Sequence, residues 1–188
     1  MITTAVVDGT DYGVIPGADS KKPTLLKPGA ERLAAAFGVY PRYSIVSTEI
    51  DHKREVIWKK RKKMWGKRRG EYTWEETSGT SLGLYRYVVR CELVKRGSEV
   101  VIADGIGSAS TLEAKYIDRP RDCENVVLKM AEKRAFVAAT LNGFGLSGRF
   151  TQDVEDTTEA NESPPNNTHT SGKPSATQID LLHGYASN

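Results

Sequence analysis

The chain has 188 residues, 38% of them apolar and 27% charged, a balance typical of a globular protein with one core and an extension. No run approaches the roughly 18 apolar residues that a membrane span needs. The first ten residues lack a basic stretch followed by an apolar one, so we expect a cytoplasmic protein without a membrane partner. Cys91 and Cys123 lie far apart and outside any CxxC spacing, which predicts two buried thiols.

The formal charge of +3 is unevenly distributed along the chain. Residues 53–69 contain ten cations and a single carboxylate, Glu55. Residues 151–162 contain five carboxylates and no cation. This asymmetry predicts a basic surface for a polyanion and an acidic, solvated tail.

The first part of the chain predicts an arm followed by a helix. Residues 1–24 are rich in Gly, Thr, Asp and Pro, which favours an N-terminal arm without a long element. Pro28 stands at a helix start, and apolar residues follow at helical spacing until Gly38. The alternation over 43–49 is β-like.

A basic insertion at 53–74 precedes two further predicted strands. Aromatic and β-branched residues alternate with polar ones from Leu84 to Val94, as in a half-buried strand. Residues 95–98 supply a turn, and 99–103 supply the return strand. The next residues, 104–110, resemble a dinucleotide-binding loop but lack its third glycine and follow antiparallel elements, so we expect no cofactor. The two glycines there favour a bulge or a close backbone approach at the end of the strand.

The strongest predicted helix runs from Asp122, its expected cap, to Asn142. One apolar stripe is expected to face the core, formed by Val126, Met130, Val137, Leu141 and Phe144. Residues 153–188 are acidic and polar and predict a disordered tail, with a short terminal helix at 178–185 as a docking peptide for a replication or recombination partner. The expected fold is α+β: an N-terminal helix and a small antiparallel sheet of three strands with one long helix packed on it, over 25–152.

The basic run is the most informative local feature for function. Lys and Arg bind a phosphate backbone by releasing condensed counterions, and aromatic rings between cations suit single strands, whose bases are free to stack. There are two alternatives: the run is a solvated β-hairpin tip, or the tryptophans belong to the core. The candidate binding residues in this run are Trp58, Lys59, Lys60, Arg61, Lys62, Lys63, Trp65, Lys67, Arg68 and Arg69, and Trp74 lies beside them.

Further candidate cations lie on the long helix. Lys129 and Lys133 are four residues apart and therefore share a face, and Arg134 follows directly. An ordinary solvated face is the alternative for these residues. The nucleic-acid surface predicted here combines this face with the basic run, and it depends on the two lying on the same side of the fold.

No catalytic constellation is evident, and we expect neither enzyme activity nor a metal site. The histidines His52, His169 and His183 are scattered, which gives no support to a metal site or a nucleophile with its base. Carboxylates such as Glu49 and Asp104 offer only an unpatterned set for a Mg²⁺-dependent nuclease, which is the least favoured alternative.

Four segments carry a resemblance to a known family: 26–38, 105–110, the helix 124–137 with its Lys-Arg-Ala, and the closing Phe144-Gly145. These segments resemble the Rad-fifty-two family of single-strand annealing proteins. Uncharacterised phage and mobile-element proteins resemble the chain more closely, at 11–17, 26–31, 128–135 and 150–153. The resemblance spans roughly Thr24 to Asp156.

The resemblance implies a βββα core that assembles into a ring or a helical homo-oligomer, with single-stranded DNA in an outer basic groove. Lys133 and Arg134 fall on the family's Lys-Arg pair at its inner DNA site, and Lys27 falls near a basic position before the first helix. The implied function is ATP-independent annealing of complementary strands in recombination and repair. Duplex DNA or RNA as the ligand of a non-catalytic accessory module of a larger mobile-element complex is the alternative, since the basic insertion is unusually cationic.

Overall fold

A computed structural model describes residues 6–14, 22–65 and 71–151 of the chain. The predicted tail at 153–188 and the cations Lys67, Arg68 and Arg69 lie outside these residues. The elements in chain order are β1 (Tyr12–Gly13), β2 (Thr24–Leu25), α1 (Lys27–Ala36), β3 (Val39–Trp65), β4 (Tyr72–Lys95), β5 (Val101–Ser110), a 3₁₀ helix (Pro120–Cys123) and α2 (Glu124–Gly143).

The three long strands form one antiparallel sheet in the order β3-β4-β5, and α2 packs on β4 and β5. This confirms the predicted α+β class, the three-stranded antiparallel sheet and the long helix that follows it. The predicted turn after Lys95 is also present, with Gly97 at a φ of 76°. The short pair of β1 and β2 lies before α1.

Small residues form the contact between α2 and β5. Ala131, Ala135 and Ala139 are fully buried, and Cβ atoms placed at Gly105 or Gly107 would collide with the backbone of α2 at these alanines. The two glycines therefore let the helix approach the sheet closely. They lie within β5 and not at its end, so the predicted end of the strand was wrong, while the close backbone approach is confirmed.

The predicted apolar stripe of the long helix was wrong at Val126, while Met130 packs against the core as expected. Val126 is 46% exposed, whereas its neighbour Val127 is fully buried. The contact face of α2 is defined by small alanines and not by large apolar residues. A helix that packs closely on a strand containing glycines has room only for small side chains at the contact. The predicted cap was also wrong: Cys123 precedes α2 without a side-chain capping bond, and Asp122 lies in the 3₁₀ helix.

The helix-side face of β3 is left partly uncovered by α2. Tyr43 pairs with Cys91 and Ile45 with Val89, and paired residues share a face of the sheet. Cys91 and Val89 belong to the core, yet Tyr43 is 38% and Ile45 56% exposed. An apolar strip therefore runs along one edge of the sheet.

Candidate nucleic-acid interface

The outer halves of β3 and β4 continue past the residues that pair with β5 and form a two-stranded arm. We define the arm as Glu55–Trp65 and Tyr72–Leu82, which lie past a register shift between Asp51 and Glu55. Eleven residue pairs give it a length of about 36 Å. Strand β5 pairs with β4 only from Arg86 to Val94, so within the described residues the arm has no third strand.

The positive charge of the chain is concentrated in this region. Residues 53–82 contain ten cations and four carboxylates, a formal charge of +6, whereas the whole chain carries +3. The rest of the chain therefore carries a formal charge of −3. The sequence predicted a basic insertion at 53–74 between two strands. In the structure, residues 53–65 belong to β3 and residues 72–74 belong to β4.

Strand alternation places the predicted residues on two opposite faces of the arm. Trp65 lies opposite Tyr72, and Lys63 lies opposite Trp74. These four residues, with Lys59 and Arg61, form the face that we call the aromatic face. Trp58, Lys60 and Lys62 belong to the reverse face.

The reverse face is fastened to the body near Asp118. The Nζ of Lys60 lies 2.9 Å from Oδ1 of Asp118, and the Lys60 side chain is only 20% exposed. Burial alone would raise the pKa of Asp118, but the hydrogen bond and charge of Lys60, with the charge of Arg119, lower it overall. Asp118 is therefore ionised at neutral pH and neutralises Lys60.

Trp58 also lies on the reverse face, over Gly79. A Cβ at Gly79 would lie 2.8 Å from Cζ2 of Trp58, so the glycine makes room for the ring. Its Nε1 is buried and has no hydrogen-bond partner among the described residues. The structure thus separates Trp58 from Trp65, which the sequence had grouped together.

A cleft of about 440 Å³ lies where the cationic strand faces Asp118, lined by Lys60–Lys63, Trp65, Thr77 and Asp118. The cleft therefore runs along the edge of the cationic strand, where residues of both faces of the arm line it. Such a cleft suits a phosphate group, since several ammonium and guanidinium groups can approach it together.

The cations of the long helix do not converge with the arm. The Arg134 guanidinium donates hydrogen bonds to both carboxylate oxygens of Glu113, at 2.7 and 3.0 Å, and to the carbonyl of Ser108 at 2.7 Å. Ser108 pairs with Val88, which stands eleven residues along β4 from Thr77, the partner of Lys60. That separation is about 36 Å along the strand.

The Arg134–Glu113 pair is a structural contact of the body. Desolvation would raise the pKa of Glu113, but the hydrogen bonds from Arg134 and from the Ser110 amide, with the charges of Arg134 and Lys115, lower it overall. The expected single surface made by the helix and the arm is therefore not what the structure shows. Glu113 was missed in the sequence because it lies in the loop that follows β5, where no periodic pattern is present.

The other predicted cations also lie on the body. Lys129 is exposed and Lys133 half-buried on α2. Lys27 lies at the start of α1, with its Nζ 3.5 Å from Oε1 of Glu31. The residues that the structure brings together are those of the arm.

The described residues do not assemble a metal centre. They contain no group of three or more His, Cys, Asp or Glu placed to hold a metal ion. Nδ1 of His52 lies 3.0 Å from the hydroxyl of Tyr85. Both cysteines are buried free thiols, as predicted, and burial raises the pKa of Cys91 to about 12.

In the described part of the chain, neither helix has the length and apolar character required to cross a membrane. Comparison of the chain with known protein families, with curated proteins and with solved structures finds no match.

Proposed function

We propose that this protein binds single-stranded DNA and promotes ATP-independent annealing of complementary strands in recombination, acting as a homo-oligomer. The observation that carries the proposal is the arm, in which cations and aromatic rings share one exposed face. Cations hold the phosphate backbone, and annealing then needs no hydrolysis because base pairing supplies the free energy.

The uncovered strip on β3 supports the oligomeric part of the proposal. Tyr43, Ile45 and Ile50 are 38–56% exposed at the edge of a sheet whose other strands are covered by α2. Contiguous apolar surface of this kind marks an interaction site. A second copy would bury the strip and align several arms on one nucleic-acid strand.

The test is annealing of complementary labelled oligonucleotides by the full chain, without ATP or Mg²⁺. We expect the protein to accelerate annealing, and the variant with Lys59, Arg61 and Lys63 changed to Gln to lose most of that effect. The matched control changes Arg42, Arg86 and Arg90 to Gln, because these cations lie on the body.

Each other outcome counts against the proposal. Tight binding without acceleration would support a non-catalytic accessory module for DNA or RNA. Mg²⁺-dependent shortening of the labelled strand would support a nuclease. Sedimentation of the chain as a monomer, with and without oligonucleotide, would refute the oligomer.

A further inference from the structure

Three aromatic side chains form a ladder at the outer end of the arm. The ring centroids of Trp65 and Tyr72 are 5.9 Å apart, and those of Tyr72 and Trp74 are 6.1 Å apart, with steep interplanar angles of 66° and 85°. Tyr72 is 47% and Trp74 40% exposed. These rings contribute nothing to the core of the body, so their exposure needs a separate explanation.

Cations lie directly over the rings of this ladder. The Nζ of Lys63 is 4.2 Å from the ring centroid of Trp65 and 4.0 Å from that of Tyr72, and the Cζ of Arg61 is 4.9 Å from that of Trp74. Cation–π attraction is modest at exposed sites. Arg61 and Lys63 can therefore exchange a ring face for a stronger anionic partner.

We infer that Trp65, Tyr72 and Trp74 form a stacking site for unpaired nucleic-acid bases, while Arg61 and Lys63 move from the rings to the neighbouring phosphates. This inference rests on the proposed function and specifies how the arm holds its ligand. It assigns Tyr72 and Trp74 to the binding site and excludes Trp58, whose ring lies over Gly79 on the reverse face.

The spacing of the rings favours a stretched single strand over a duplex. Tyr72 and Trp74 are two residues apart on one strand, about 6.6 Å, whereas stacked nucleotides of a duplex rise about 3.4 Å per step. Successive bases can reach successive rings only when they are unstacked from one another. A base within a duplex has both faces covered and cannot lie on a ring.

Cross-strand aromatic pairs also stabilise strands without any ligand, so the test must respond to bases and not only to arm integrity. The full chain is titrated with labelled oligothymidylate and with an abasic deoxyribose-phosphate oligomer of equal length and charge. We expect at least tenfold tighter binding of the oligothymidylate. The abasic oligomer has no bases to stack on the rings, and the loss of each stacked base lowers the affinity roughly tenfold.

The variants Tyr72→Val and Trp74→Val keep a residue type that favours strands. We expect each to weaken oligothymidylate binding roughly tenfold and to leave abasic binding unchanged, while Trp74→Phe retains most of the affinity. Trp58→Phe, on the reverse face, is the matched control and should leave the affinity for both oligomers unchanged.

The outcomes separate the inference from the proposed function. Equal affinity of the wild-type chain for both oligomers would overturn base stacking while leaving a cation-based single-strand binder intact. Equal losses for both ligands in Trp74→Val would also overturn it, since the rings would then only shape the arm. Failure of the wild type to bind either oligomer would refute the proposed function itself.

Discussion

The face of the sheet opposite α2, which we call the open face, and the aromatic face of the arm use arginine differently. On the open face, Arg42 lies 3.0 Å from Glu92 and 2.9 Å from Glu99, and Arg90 lies 3.3 Å from Asp104. On the arm, Arg61 makes an exposed contact with Glu76, and its guanidinium also lies over the indole ring of Trp74. Arginine thus serves charge balance on the body, whereas on the arm the exposed contacts of Arg61 with Glu76 and with the ring of Trp74 can be exchanged for a ligand.

The two regions also differ in what holds them together. The body is fixed by close contact between glycines of β5 and alanines of α2, while the arm is a two-stranded extension whose exposed surface is large. Changes in the body should therefore act on stability, and changes in the arm on binding.

The largest effect is expected at Gly107. Its substitution by Val places a side chain against the backbone of Ala131 and Ala135, so the helix must move away from the sheet. We expect the free energy of unfolding to fall by about 3 kcal/mol or more. Urea denaturation measures this loss.

Gly148→Ala is the matched control for that variant, because a Cβ at Gly148 meets nothing within 4 Å. Equal stability of the two variants would show that the close helix–sheet contact is not what holds the body together.

A smaller effect is expected from Glu113→Gln in the body. The Arg134–Glu113 contact is mostly buried, with side chains 27% and 18% exposed, so its loss should lower the free energy of unfolding by about 1.5–3 kcal/mol at pH 7. The folded state lowers the pKa of Glu113. Its stabilisation is therefore fully present above the ordinary carboxyl pKa and is lost as the pH falls through the lowered value.

Denaturation of the wild type and of Glu113→Gln over pH 2–7 tests this sign. The difference between the two free energies of unfolding should shrink as the solution is acidified. A difference that stays constant or grows at low pH would contradict the ion pair as its source.

The smallest effect on stability is expected on the open face. The side chains of Arg90 and Asp104 are 48% and 52% exposed, and exposed ion pairs contribute about 0–1 kcal/mol. Thermal denaturation of Arg90→Gln should match the wild type within about 0.5 kcal/mol. A larger loss of stability would mean that the ion pairs of this face help to hold the fold together.

Sequence reasoning succeeded where burial produces a clear pattern. The alternation from Leu84 to Val94 identified a strand because one face of it contacts the core, and Lys95–Ser98 identified its turn. The contact face of α2 could not be found this way, since alanines opposite Gly105 and Gly107 leave no large apolar stripe. Within the arm, Val56, Trp58 and Lys60 are half-buried and alternate with exposed residues. Because Ile57 is apolar and exposed while Lys60 is charged and half-buried, this burial leaves no apolar alternation in the sequence.

The candidate site could be predicted only in part from the sequence. The cationic run over 59–63 is visible in the composition, but whether its residues share a face depends on strand pairing. Pairing brings Tyr72 and Trp74 to Trp65 and Lys63, and carries Lys60 to Asp118. The partner of Arg134 lies 21 residues away in the chain, beyond the reach of any local pattern.

The salt dependence of single-strand binding tests the central claim most directly. Each phosphate contact contributes a slope of about −0.7 in log affinity against log salt for single strands. Changing Arg61, Lys62 and Lys63 to Gln should therefore reduce the slope by about 2, whereas changing Arg42, Arg86 and Arg90 to Gln should leave it unaltered. An unchanged slope in the arm variant, or an equal reduction in the body variant, would contradict the arm as the nucleic-acid interface.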